Sequence, residues 1–114
     1  MEYLIKNLRD IKLEGTHELP DSRQTLLNKE ELGSESFEAF TKGILASGRI
    51  WDWHNHENIY EFFIVLDGIG SIEFEDGNIH EYTKGDIVLI RPNYKHRILA
   101  SGSNASEFLF VRLK

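Results

Sequence analysis

Apolar and polar residues alternate along the last two thirds of the chain, and the first third has no such rhythm. Period-two alternation is the signature of strands with one face turned to a core. From Phe37 onward it predicts strands over 37–46, 50–56, 60–67, 70–75, 79–83, 86–91, 96–100 and 106–113. Turn formers separate them: Ser47-Gly48, Asp67-Gly68, Asp76-Gly77-Asn78, Lys84-Gly85-Asp86, Pro92-Asn93 and Ser101–Asn104. Asp76-Gly77 between two short alternating runs is a hairpin signal. Many short strands with almost no helix predict an all-β sandwich or small barrel. Upstream, Tyr3–Ile5 and Ile11–Leu13 are apolar islands, expected to form one or two short strands within residues 1–14. Residues 15–36 are the most polar stretch and read as a long surface loop, with a helical turn near Gln24–Leu32. There is no repeat or low-complexity tract. The chain reads as one domain over 1–114, with an N-terminal part (1–36) and a barrel core (37–114).

Within the β region, GRIWDWHNHENIYEFFIVLDG places Gly48, His54, His56, Glu61 and Gly68 at G-x5-H-x-H-x4-E-x6-G spacing. On a helix, residues two apart point about 200° from each other. On a strand they face the same way, so His54 and His56 can share one ion with a carboxylate returning on the next strand. The natural reading is a divalent-metal site; the competing one is a partly exposed polar pair with a surface charge. Inward His54 and His56 place Asp52 on their face and Trp51, Trp53 and Asn55 on the other. Inward Glu61 takes Phe63 and Val65 with it, and inward His96 takes Ile98 and sends Arg97 outward. His17 in the polar stretch and His80 in a hairpin strand read as solvated. The aromatics around the ligands (Trp51, Trp53, Tyr60, Phe62, Phe63 and Tyr94) read mainly as core or interface.

A second segment, GDIVLIRPNYKHRI, opens with a turn at Gly85-Asp86 and runs through an apolar strand, Ile87–Ile90, expected to be buried. It then turns at Pro92-Asn93 and presents His96. Here the chain resembles the cupin superfamily, whose first motif is G-x5-H-x-H-x3,4-E-x6-G and whose second is G-x5-P-x-G-x2-H-x3-N. Every specified position of the first is matched. In the second, Gly85 and His96 match, while Arg91 replaces Pro, Asn93 replaces Gly and Ala100 replaces the final Asn. Asn tolerates a left-handed backbone better than other non-glycine residues. Arg91 places a guanidinium beside the turn that precedes His96.

The resemblance covers about residues 40–113 and implies a double-stranded β-helix, a jelly-roll barrel, with His54, His56, Glu61 and His96 as metal ligands. Three imidazoles and a carboxylate suit a divalent transition metal such as Mn, Fe, Co, Ni, Cu or Zn better than Ca²⁺ or Mg²⁺. Such an ion favours enolate, enediolate, carboxylate or peroxide forms of a ligand. Tyr60, Tyr94, Arg91 and Asp52 are the candidate acid/base or anion-binding groups near these ligands.

Composition narrows the partners. The chain has 114 residues, no cysteine and a net charge of −6. Disulfides and thiolate metal sites are thereby excluded. An acidic chain with no basic patch is not expected to bind nucleic acid or an anionic membrane. No apolar segment approaches the roughly 20 residues needed to span a bilayer. A charged N-terminus without a signal-peptide core points to the cytoplasm. The last strand, SEFLFVRLK, is apolar on both faces: Phe108, Phe110 and Arg112 alternate with Leu109, Val111 and Leu113. That second apolar face predicts a homodimer. Three functions are compatible: a metal-dependent isomerase, epimerase or lyase acting on a small oxygenated or carbohydrate-like metabolite, a non-heme dioxygenase, or a small-ligand sensor without turnover.

Overall fold

The computed structural model describes residues 3–114, so the first two residues of the expected N-terminal strand region lie outside the described residues. The alternation is realised in two antiparallel sheets. Their strands are β1 (Glu14–Thr16), β2 (Leu19–Leu27), β3 (Phe37–Leu45), β4 (Ile50–His54), β5 (Tyr60–Asp67), β6 (Gly70–Phe74), β7 (Ile79–Tyr82), β8 (Ile87–Ile90), β9 (His96–Ala100) and β10 (Ser106–Leu113). One sheet has the order β1-β2-β3-β10-β5-β8 and the other β4-β9-β6-β7. The architecture is the expected double-stranded β-helix.

Inward side chains fill the space between the sheets. Phe63 and Val65 of β5, Ile98 and Ala100 of β9, and Phe108 and Phe110 of β10 join Leu45, Trp51, Ile72, Tyr82 and Ile90 in one core. Trp51, Phe63, Phe108 and Phe110 meet with ring centroids 4.8–5.7 Å apart, the spacing of tilted and edge-to-face pairs. The buried Tyr82 hydroxyl donates to the Leu99 carbonyl at 3.0 Å and lies 2.6 Å from Ser106 Oγ, which satisfies an otherwise costly polar group. Two glycines permit close packing. A Cβ on Gly43 would lie 2.5 Å from the Phe110 ring and 2.7 Å from Trp51; one on Gly68, at φ 94°, would lie 2.6 Å from the Ser106 Cα.

Three expectations need correction. Residues 15–36 are not a loop: β1 and β2 form a hairpin, and β2 adds to β3 with Arg23 opposite Gly43 and Thr25 opposite Thr41. A short helix, α1 (Lys29–Leu32), follows, closed by a reciprocal Asn28–Glu31 capping box and by Gly33 at φ 63°. The apolar islands at Tyr3–Ile5 and Ile11–Leu13 form no strand. The segment between and into the second island is held instead by the buried Gln24 side chain, whose Nε2 donates to the carbonyls of Leu8 and Ile11 at 3.2 and 2.8 Å. Finally, β8 is an edge strand rather than a buried one: Ile90 is buried, but Ile87 is 77% and Leu89 48% exposed.

Candidate metal centre

Three strands deliver three of the four predicted ligands to one place. Glu61, the second residue of β5, lies on the inner face opposite Ile90 of β8 and Arg112 of β10. His96 opens β9 and is fully buried. His54 closes β4 directly opposite His96. One donor atom from each of His54, Glu61 and His96 lies within 4.8 Å of the others. His56 follows in the turn after β4, half-buried, with its Nε2 3.1 Å from Glu61 Oε2. His96 Nε2 lies 3.6 Å from the other oxygen, Oε1.

The face assignment along β4 differs from simple alternation. Between Trp51 (opposite Ile98) and His54 (opposite His96), β4 spends three steps where β9 spends two. The extra residue is a bulge, which re-aims the side chains around it. Trp51 therefore faces inward with His54, while Asp52 and Trp53 face out. Outside, Arg97 stacks 4.9 Å from the Trp53 ring centre and pairs with Glu73 and, at 3.9 Å, with Asp52.

Hydrogen bonds orient the imidazoles. His54 Nδ1 lies 2.6 Å from the Asp52 carbonyl, and His96 Nδ1 lies 3.3 Å from the Tyr94 carbonyl. A carbonyl accepts only from a protonated nitrogen, so in the neutral rings each Nε2 carries the lone pair. Backbone acceptors behind coordinating imidazoles are a general feature of metal sites. Among the described residues the buried His96 Nε2 has no hydrogen-bond partner, and the 3.1 Å contact of the buried His56 Nε2 with Glu61 lacks hydrogen-bond geometry. Buried polar atoms are normally paired, and a cation between these nitrogens and Glu61 would pair them. The donor set thus fits a divalent transition metal.

Electrostatics agree with a cation-ready cluster. Burial drives the His54 pKa down to about 4, helped by neighbouring His96 and His17 and opposed by the Asp52 carbonyl and Glu61. Burial alone would raise Glu61, but the adjacent His56 and His96 imidazoles more than offset it and hold the carboxyl well below its usual range. At neutral pH the cluster is therefore a neutral His54 beside an anionic Glu61, the forms that bind metal.

The cluster opens on a small cavity. Its walls include His54, His56 and Glu61, and also His17, Arg23 and Arg112. His17 is exposed, as expected, yet it borders the cavity. It sits with Glu18 in the two-residue turn of the β1–β2 hairpin, at φ 50° and 65° respectively, the primed turn that matches strand twist. Ser22 Oγ accepts from the Thr16 N–H at 3.1 Å and donates to the Leu19 carbonyl at 2.9 Å, bracing that turn. The His17 ring thereby lies 4.5 Å from the His54 ring, and burial lowers its pKa. His80 does lie outside, half-exposed and 2.9 Å from Asp86.

Tyr60, Tyr94, Arg91 and Asp52 do not line this cavity. Tyr60 points away from its neighbour Glu61 and is 39% exposed. Tyr94 packs against Phe74, and Arg91 and Asp52 are exposed. Arg112 was legible in the sequence, since it alternates in phase with Phe108 and Phe110. Arg23 and His17 were not, because the segment carrying them shows no alternation.

Comparison with known proteins bears on both parts of this picture. Residues 43–112 match the family described as Cupin domain. No curated protein is matched by the sequence. A predicted oxalate decarboxylase from Thermotoga maritima is similar in structure, with TM-score 0.74 and 26% identity over 80% of this chain and 77% of the other. The polyketide cyclase RemF from Streptomyces resistomycificus has TM-score 0.79 and 19% identity over 96% and 80% of the two chains. Ectoine synthase from P. lautus has TM-score 0.77 and 19% identity over 97% and 78%. At such identities the last two carry the fold alone.

Proposed function

The chain belongs to the cupin-domain family, and from that premise we propose that it is a metal-dependent enzyme acting on a small oxygenated metabolite by non-redox, lyase- or isomerase-type chemistry. The observation that carries this reading is the set of oriented Nε2 donors around Glu61 at the floor of an open cavity. His54, His56, Glu61 and His96 would hold the ion, which supplies Lewis-acid polarisation of a substrate oxygen. The chain's own contribution is then proton handling and exclusion of water. His17 is the ring positioned for the former: it lines the cavity and its lowered pKa leaves it neutral and able to accept a proton at neutral pH. The apolar wall of Trp51, Ile98 and Phe110 serves the latter. The predicted oxalate decarboxylase among the similar structures favours lyase-type chemistry over oxygen insertion.

The test begins with chelator-stripped protein titrated calorimetrically with Mn²⁺, Co²⁺, Ni²⁺ and Zn²⁺, followed by the visible spectrum of the Co²⁺ form. One tight site per chain, lost in Glu61→Gln, is expected. The absence of a stoichiometric site, or its persistence in Glu61→Gln and His96→Ala alike, overturns the assignment. Oxygen uptake coupled to turnover would replace the non-redox reading with a dioxygenase.

A second copy of the chain is proposed to cover the outer face of the larger sheet. The cross-strand row Leu89–Phe62–Val111–Phe40–Leu27 is apolar throughout, and Ile87–Ile64–Leu109 lies beside it. Light scattering at micromolar concentration should give the mass of two chains.

A further inference from the structure

The matched family segment starts at Gly43, so Arg23 lies outside it, yet Arg23 shares a wall of the cavity with Arg112. The pairing registers explain how. Arg23 stands opposite Gly43, and Arg112 stands opposite Glu61 and Ala39, all on the inner face of the larger sheet. With no side chain on Gly43, the wall beside Arg23 is left to the Trp51 and Phe110 rings.

Neither guanidinium is fully paired. Arg23 reaches Glu14 through one terminal nitrogen at 3.2 Å, and Arg112 Nε lies 3.8 Å from Glu61 Oε2, beyond hydrogen-bond length. The Nε atoms of both are buried with no hydrogen-bond partner among the described residues. A guanidinium has five donors in a planar fork, and two such forks with orphaned donors on one cavity call for an acceptor that the protein itself does not provide. Charge points the same way. The chain carries a net charge of −6, yet among the described residues the cavity lining holds two arginines against one carboxylate, Glu61. The acidic excess lies elsewhere on the molecule, and the cavity is its cationic spot even before an ion is added.

We infer that the cavity selects a small organic carboxylate, with Arg23 and Arg112 holding the anionic group while another oxygen of the same molecule faces the His54–Glu61–His96 cluster. This rests on the metal-dependent reading above and adds the class of substrate to it. Arg23 is the specificity residue, because it comes from the N-terminal hairpin rather than from the segment that defines the family. Arg112 has a second duty beside Glu61, so Arg23 is the cleaner position to test.

The experiment is calorimetric titration of the full chain, metal-free and then Mn²⁺-loaded, with malonate, its neutral isostere malonamide, and inorganic phosphate. Wild type, Arg23→Gln and Arg23→Lys are compared, with thermal melting to verify folding. Malonate should bind the wild type, weaken by about tenfold or more in Arg23→Gln, and recover in part in Arg23→Lys, because charge returns without the fork. Added salt should weaken it further. Equal binding of malonamide, unchanged affinity in Arg23→Gln, or tighter binding of phosphate than of malonate overturns the carboxylate assignment. The two readings fail separately. Stoichiometric metal binding with no malonate binding sinks this inference alone. Malonate binding to a protein that takes up no metal sinks the metal-dependent reading alone.

Discussion

The barrel segment over residues 43–112 and the hairpin over residues 14–27 wall the same cavity but reach it by different physics. In the barrel, His54, Glu61 and His96 are fixed by paired strands, a bulge and backbone acceptors behind the imidazoles. Each of these ligands is held from several sides, as suits a cluster that must keep donor atoms within a few ångströms. The hairpin has fewer holds. A two-residue turn at positive φ, the Ser22 hydroxyl and the Glu14 contacts to Arg23 and Thr25 position His17 and Arg23. The barrel segment carries the family match, and the hairpin lies outside it. Fold and ligand set do not by themselves fix a substrate.

Removing one imidazole from each region should break the comparison most visibly. His96→Ala takes a fully buried donor out of the cluster, and metal affinity should fall by roughly 100-fold or more, judged against the 10–100-fold typical of outer-shell changes. His17→Gln should leave metal affinity within about threefold while turnover falls by roughly 100-fold, the usual worth of a positioned proton acceptor. Calorimetry with Mn²⁺ and a rate assay on the same preparations read both. Equal losses of metal affinity in the two variants would make His17 a ligand and erase the division of labour.

The same contrast explains what could be read from the chain. Strand positions from Phe37 onward follow from alternation because one face of each strand meets the core, and Glu61, Phe63 and Val65 fall inward as expected. His96, Ile98 and Ala100 do likewise. The bulge in β4 escaped notice because adding one residue leaves no compositional trace, yet it reverses Trp51 and Asp52. β2 escaped because its two faces are both polar: Ser22 and Gln24 are buried by hydrogen bonding to the hairpin and the N-terminal segment, not by apolar contact. Arg23 lines the cavity, and Thr25 hydrogen-bonds to Glu14. A strand with polar work on both sides has no hydrophobic period to detect. Tyr60, Tyr94, Arg91 and Asp52 are near the ligands in sequence but do not line the cavity: Asp52 and Tyr60 lie on the outer faces of β4 and β5, and Arg91 and Tyr94 lie in the turn between β8 and β9.

Acidification offers a smaller effect with a defined sign. In metal-free protein the His54 pKa is about 4 against an ordinary 6.5. Above pH 6.5 both folded and unfolded chains hold the ring neutral, and the full stability is present. As pH falls toward 4, the unfolded chain takes up a proton that the buried ring refuses, so stability drops. Allowing for partial solvent access, the loss from His54 should be about 1–2 kcal/mol. His17 contributes in the same direction, and Glu61 extends the loss below about pH 4.5, its ordinary range. Chemical denaturation between pH 7 and 4 should show this limb. His54→Gln should flatten it more than His17→Gln, since His54 is the more deeply held; the reverse order would mean that the hairpin, not the barrel, encloses the cluster.

The smallest effect concerns a residue that belongs to the barrel yet governs a loop. Asn93 stands where the family's second motif carries glycine, and its φ is 66°. Its N–H donates to the His56 carbonyl at 3.0 Å, and its Oδ1 accepts from the Asn58 N–H at 3.3 Å. One left-handed residue thus clamps the turn that presents His56. Asn93→Gly keeps the backbone freedom and loses only the exposed Oδ1 contact, so stability should change by less than about 0.5 kcal/mol. Asn93→Ala must adopt the left-handed conformation with a Cβ and no local polar compensation, a cost of about 1 kcal/mol. Metal affinity should follow the same order, because the turn carries His56. If Ala and Gly prove equally stable at this position, the backbone is free to relax and the clamp on His56 is not set by the conformation of Asn93.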